Sequence, residues 1–233
     1  MTEKGDNHLI ETIKSVMVPI HPAGYPFIAI FVVVTLFLSF ASDFLGFTGV
    51  VLTFWCVYFF RNPDRVVPDR PGLIVSPADG MVQKITDTEP PAELELGEGE
   101  FIRISIFMNV FNVHVNRMPT AGKVSKLHYI PGLFLNTSLD KASEDNERQL
   151  ITLDTKDGPR IGVVQVAGLL ARRILCQAEE AQEVKRGERF GLIRFGSRLD
   201  VYLPKNVEVL ATEGQCAVAG ETVLAQFTVN EAA

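Results

Sequence analysis

From Pro26 to Phe60 the chain runs for 35 residues with a single charged side chain, Asp43, and this stretch limits what the chain can fold into more than any other. It divides at Ser42-Asp43 into PFIAIFVVVTLFLSFA (26–41) and FLGFTGVVLTFWCVYFF (44–60). At about 1.5 Å per helical residue the longer half reaches roughly 25 Å, slightly short of a ~30 Å hydrocarbon core. Phe, Val, Leu and Ile face all round each half instead of forming a stripe, which disfavours the buried core hairpin of a soluble protein. A secretory signal peptide fits poorly. Glu3, Asp6 and Glu11 stand beside Lys4 and Lys14 ahead of the run, and no small-residue cleavage site closes it. Two arrangements remain: a helical hairpin with Asp43 at its tip, or one kinked segment that crosses once while the rest lies in the interface. Lys4 and Lys14 on one flank and Arg61, Arg65 and Arg70 on the other favour the hairpin, inserted in the cell membrane with both ends cytoplasmic.

This run also accounts for the composition. Of 233 residues 47% are hydrophobic and 21% charged, which excludes disorder of the whole chain. A formal net charge of −6 excludes the basic face of a nucleic-acid binder. Cys56, Cys176 and Cys216 are scattered without metal-ligand or paired spacing, so neither a zinc site nor a disulfide framework is expected. The expected organisation is a tail over 1–25, the membrane segment over 26–60 and a β domain over 61–233.

In that domain short β-branched runs are bounded by Gly, Pro and Asp. Strands are expected at 72–77, 81–86, 101–107, 113–118, 123–130, 149–155, 160–170, 189–196, 198–204, 207–212 and 221–227. Their spacing and turn chemistry predict a mainly β fold, an antiparallel barrel or sandwich with lipoyl-like β elements. EEAQEVK (179–185) reads as a short helix, and the polar stretch 135–148 as a long loop.

Three positions are candidates for chemistry. Asp79 lies in SPADG, a turn fixed by Pro77 and Gly80, where a carboxylate can hold a histidine in one tautomer or simply make an Asp-Gly corner. His114, in MNVFNVHVNRMP, alternates with Val113 and Val115; it is a proton shuttle or a solvent-facing strand residue. His128, in KLHYIPG, has a weaker case because nothing catalytic surrounds it. Ser197 follows Gly196 in RFGSRLD, and its hydroxyl can act on an external carbonyl or on the carbonyl of Gly196 itself. There is no G-x-S-x-G elbow, so an ordinary α/β-hydrolase has no support.

Taken in order, SPADG, FNVHVNRMP, HYIPGLFLNTSLDKASEDNER and RFGSRLDVYLP resemble the phosphatidylserine decarboxylase proenzymes in their short bacterial and archaeal form, from about Arg61 to Phe227. The resemblance implies a self-processing decarboxylase of phosphatidylserine, cut between Gly196 and Ser197 into a β chain (1–196) and an α chain (197–233) that stay together as a heterodimer. Ser197 would become the covalent pyruvoyl group, the pyruvate cofactor that forms a Schiff base with substrate. Asp79 and His114 would complete the catalytic set, and no metal is implied. Many longer members carry two histidines before the Met-Pro pair, whereas Val115, Asn116 and Arg117 follow His114 here. Either His114 serves both processing and turnover, or another group takes one role. The substrate is a phospholipid in the bilayer, and a homo-oligomer is compatible with everything above. Candidate phosphate contacts are Arg117 and Arg198, with Arg61 and Arg65 behind them.

The rival readings are a membrane-tethered serine hydrolase using Asp79, His114 and Ser197 without self-cleavage, and a lipoyl-like scaffold module. A decarboxylase of an ether-linked phosphoserine lipid shares the headgroup chemistry and stays open.

Overall fold

The computed structural model describes residues 18–132, 146–156, 158–168, 173–194 and 197–228. The chain divides into two compact units, Met1–Asp64 and Arg65–Ala233.

The first unit is the hydrophobic run. Helix α1 spans Tyr25–Ala41 and α2 spans Asp43–Phe59, with extended Ser42 breaking the two. The helices pack antiparallel along a seam of small residues. A Cβ on Gly46 would meet the Ser39 Cβ at 2.8 Å, and one on Gly49 would meet the Thr35 hydroxyl at 2.7 Å. Thr35 and Thr53 hydroxyls donate to the Phe31 and Gly49 carbonyls four residues back and lie 3.1 Å from each other. Every polar side-chain atom on the seam is therefore satisfied within the hairpin, while Phe37, Phe40, Phe44, Phe47 and Phe54 point outward and stay exposed. Among the described residues, the helical stretch Pro22–Ala41 is long and apolar enough to cross a membrane.

The second unit is antiparallel β throughout. Its strands are β1 Leu73–Val75, β2 Gly80–Thr88, β3 Phe101–Met108, β4 Val115–Arg117, β5 Gly122–Ile130, β6 Arg148–Thr155, β7 Ile161–Ala167, β8 Ile174–Cys176, β9 Glu183–Val184, β10 Arg189–Ile193, β11 Ser197–Leu203, β12 Val207–Val209, β13 Cys216–Ala217 and β14 Val223–Phe227. They form an eight-stranded sheet in the order β13-β2-β3-β11-β7-β6-β5-β9 and two three-stranded sheets, β1-β14-β12 and β4-β10-β8. Register shifts at Val82/Lys84 and Val124/Lys126 bend the large sheet, as bulges do. It curls so that Ile104, Ile106, Val163, Leu199, Val201 and Leu203 face one interior, which Phe190, Ile193, Leu224 and Phe227 of the small sheets close. Each such side chain contributes about 1.5–3 kcal/mol of apolar transfer. On the opposite face a second cluster of Leu94, Phe101, Leu150, Val164, Val166 and Tyr202 covers β7 and β11, so both strands are buried on both faces.

Each of the eleven expected strands is present. The helix expected at 179–185 is not: residues 179–182 turn, and Glu183–Val184 is a strand. The Ala181 amide bonds to the Val124 carbonyl and the Val124 amide to the Gln182 carbonyl, so pairing at the β5 bulge overrides the helical preference of Glu, Ala and Gln. Most of the expected loop 135–148 lies outside the described residues; Arg148 opens β6.

Candidate active site

The site forms at one end of the large sheet, and the backbone assembles it. Arg117 N bonds to Pro77 O at 2.9 Å and Val75 N to Pro119 O at 2.8 Å, which lays the SPADG turn along the histidine motif. Ile193 N bonds to His114 O at 3.3 Å, which ties that motif to β10, four residues ahead of Ser197. Gly80 is required where it stands, because a Cβ there would lie 2.1 Å from the Phe107 carbonyl oxygen and hold β2 off β3.

Ser197 is fully buried as the first residue of β11 and pairs with Met108 on one side and Ala167 on the other. Alternation puts it on the interior face with Leu199, Val201 and Leu203. Among the described residues its hydroxyl makes one weak contact, to Met108 Sδ at 3.9 Å. Phe195 and Gly196, the residues ahead of it, lie outside the described residues.

His114 is also fully buried. Its Nδ1 lies 3.0 Å from the Asn112 carbonyl oxygen, which can only accept. Nδ1 therefore carries the proton, and in the neutral ring Nε2 keeps the basic lone pair. That is the tautomer a general base needs, with a backbone carbonyl as its orienting partner.

Asp79 is held by other groups. Its two oxygens accept from Arg65 Nη2 at 3.0 and 2.8 Å, and Oδ1 also accepts from the Ala219 amide at 2.8 Å. The structure thus brings the three motifs to one end of the sheet but does not join Asp79, His114 and Ser197 in one hydrogen-bonded relay.

The arginines expected at a phosphate all have protein partners. Arg61 donates to the Tyr58 carbonyl and stacks over the Tyr58 ring, Arg65 binds Asp79, and Arg117 donates to the Gly187 carbonyl at 2.8 Å. Arg198 makes a two-pronged ion pair with Asp200, both contacts 2.9 Å and both side chains buried, on the face of β11 opposite Ser197. Tyr202 continues that face, and burial first, with the Asp200 charge second, pushes its phenol pKa up.

Sequence reasoning missed what five residues do in this arrangement. Arg65 was singled out for a different role, and nothing in a linker arginine signals an aspartate fourteen residues on. Asp200 was legible, since residues two apart on a strand share a face. Arg173 and Arg194 meet where β8 begins and β10 ends, with Arg194 N bonding to Arg173 O at 3.4 Å. Burial, and then the positive charge of Arg173, pushes the Arg194 guanidinium below its ordinary pKa. Gln165 is the one polar residue in the apolar run VVQVA of β7.

Comparison with known proteins gives these residues a context. The sequence profile of the family described as phosphatidylserine decarboxylase matches residues 52–225. A phosphatidylserine decarboxylase proenzyme of Rickettsia bellii is 56% identical over 208 residues, 89% of this chain and 90% of that protein. A protein of the same name from Nitrobacter winogradskyi is 55% identical over 216 residues, 93% of this chain and 87% of its own length. The matched region takes in the SPADG turn, the histidine motif and the Gly196-Ser197 junction, and on a match of that extent the chain belongs to the phosphatidylserine decarboxylase family.

Proposed function

We propose that the chain decarboxylates phosphatidylserine to phosphatidylethanolamine with a pyruvoyl group that it makes from Ser197 by cutting itself between Gly196 and Ser197. Family membership carries the reaction. The seat of Ser197 supports the group. Its side chain is fully buried, its hydroxyl makes, among the described residues, a weak sulfur contact, and the strand it opens is bonded on both sides. A new chain end at residue 197 would stay where the cut left it.

In maturation His114 Nε2 takes the hydroxyl proton of Ser197, Oγ attacks the Gly196 carbonyl carbon, and the imidazolium gives that proton to the peptide nitrogen as the C–N bond breaks, giving an ester. Elimination across Cα–Cβ of residue 197 releases Gly196 as a carboxylate and leaves dehydroalanine. Tautomerisation and addition of water then expel ammonia and leave the ketone.

In turnover that ketone supplies an electrophile for the substrate amine and a sink for the electron pair left as CO₂ departs. His114, its Nδ1 proton fixed by Asn112, moves the proton that returns to the decarboxylated carbon. Arg173 and Arg194 bind the headgroup phosphate, whose negative charge offsets their mutual repulsion. Arg198 serves by fixing β11 through Asp200. The apolar hairpin inserts in the membrane and keeps the site at the interface where a diacyl lipid resides.

Mass spectrometry of the purified protein in denaturant tests the cut. Two pieces are expected, the second starting at residue 197 with a blocked end that reacts with hydroxylamine or borohydride. The pieces should separate only in denaturant, because β11 and β13 of the second lie in the eight-stranded sheet and β14 pairs with β1. An active sample with one intact chain and no reactive carbonyl overturns the proposal and leaves a serine hydrolase.

A further inference from the structure

One buried acceptor inside the curled sheet has no donor. Gln165 projects from β7 on the interior face, between Val163 and Ala167, and is fully buried. Its Nε2 donates to Asn116 Oδ1 at 2.8 Å. Asn116 Nδ2 reaches Met108 Sδ at 3.7 Å, and the same sulfur takes the Ser197 hydroxyl at 3.9 Å. These four side chains form one continuous line that begins at the reacting serine. It ends at Gln165 Oε1, which has no hydrogen-bond donor among the described residues.

An unpaired buried amide oxygen is destabilising, and interiors retain few of them. A tie between sheets does not explain this one. The Gln165–Asn116 bond does link β7 to β4, but an apolar pair would join the two sheets without stranding an oxygen. No N–H donor reaches this oxygen among the described residues, and Gln165 stands one interior position along β7 from Ala167, the strand partner of Ser197.

We infer that Gln165 Oε1 receives the amino group of the phospholipid headgroup, which makes Gln165, with Asn116 holding its amide, a specificity-determining residue. This rests on the pyruvoyl reading, because that chemistry brings an amine to residue 197. A serine or ethanolamine headgroup carries N–H donors that fill the empty position. A choline headgroup has none and would leave Oε1 stranded beside three methyl groups, so choline lipids are rejected.

The test uses the full chain in phosphatidylcholine vesicles doped with phosphatidylserine or phosphatidylethanolamine. Gln165→Met removes the orphan oxygen but strands Asn116 Oδ1, so one unpaired acceptor replaces another. Its Tm should stay within about 3 °C of the parent, and its fragments should match the parent's by mass. The KM for phosphatidylserine and the inhibition constant of phosphatidylethanolamine should both rise roughly 10- to 100-fold, the loss of one hydrogen bond to a charged donor. Gln165→Glu keeps an acceptor at that position and should retain most of the affinity. A parental KM in Gln165→Met overturns the inference. So does equal impairment of both variants alongside a large fall in Tm, which marks a structural tie. Failure of the pyruvoyl reading is visible separately, as an uncut parent chain, and direct binding of phosphatidylethanolamine, weaker in Gln165→Met than in the parent, still reports on Gln165 in that case.

Discussion

The Nδ1 proton of His114 goes to the Asn112 carbonyl, while Asp79 is held by Arg65 and the Ala219 amide. The two side chains that the sequence links in one relay are thus oriented by different partners. A carboxylate and a guanidinium that are both largely shielded from water act as a unit: removing either one strands the other. Arg65→Gln and Asp79→Asn should therefore slow self-cleavage by similar factors, and the double replacement should be little worse than either single one. Following the appearance of the 197–233 fragment on denaturing gels checks this, and strictly additive losses would mean that Arg65 and Asp79 work independently. The sequence singles out Ser197, His114 and Asp79 as a candidate site only as an ordered set of motifs, because a Gly-Ser pair or an Asp-Gly corner alone has a common structural explanation. Arg65 was not legible as an Asp79 partner, since the turn that brings it back from the linker has no short-range signature. Gln165 left a trace, a polar residue at an inward position of an apolar strand, which gains meaning only once Asn116 is seen across the interior.

At the scale of the element, β11 combines opposite demands on its two faces. The interior face presents Ser197 and then Leu199, Val201 and Leu203, while the other carries Arg198, Asp200 and Tyr202 under an apolar cover. Because the folded-state pKa of Tyr202 is raised, its neutral form contributes stability that is fully present below the unfolded value of about 10 and is lost as pH rises through the folded value. Thermal melts between roughly pH 8 and 11 should show the parent losing Tm at the alkaline end, and Tyr202→Phe losing less. Identical alkaline slopes in the two proteins would remove Tyr202 as the cause. Strands of this kind were the most readable part of the chain, because alternation and Gly, Pro and Asp boundaries recur along it. Those missed, β8, β9 and β13, are two or three residues long and exist only through their partners: Cys216 and Ala217 pair with Met81 and Gly80 and show no periodicity of their own. The false helix at 179–185 has the same origin, since composition favoured a helix and pairing with β5 decided against it.

Over the whole molecule the sequence divides its labour sharply. The first unit exposes aromatic and β-branched side chains all round, and the second buries its own against one another. In the proposed membrane insertion such an outer surface on α1 and α2 would meet a solvent as apolar as itself, and the glycine seam with its internally bonded threonines would let the two short helices enter it together. The chain carries its own reporter of this. It has one tryptophan, Trp55, on α2 beside Phe59 and one turn ahead of the helix end. In vesicles its emission should sit at the short wavelength of an apolar setting. Lipids brominated along the acyl chain should quench it, and aqueous iodide should leave it nearly unaffected. Replacing Gly46 and Gly49 together with leucine should spread the helices, because both new side chains would collide with Ser39 and Thr35. Trp55 would then redden as the hairpin loses its seam, while the catalytic unit, compact in itself, keeps its far-ultraviolet β signal. Strong iodide quenching of Trp55 in the parent protein bound to vesicles would place the hairpin outside the bilayer and remove the physical reason for an apolar surface of that extent.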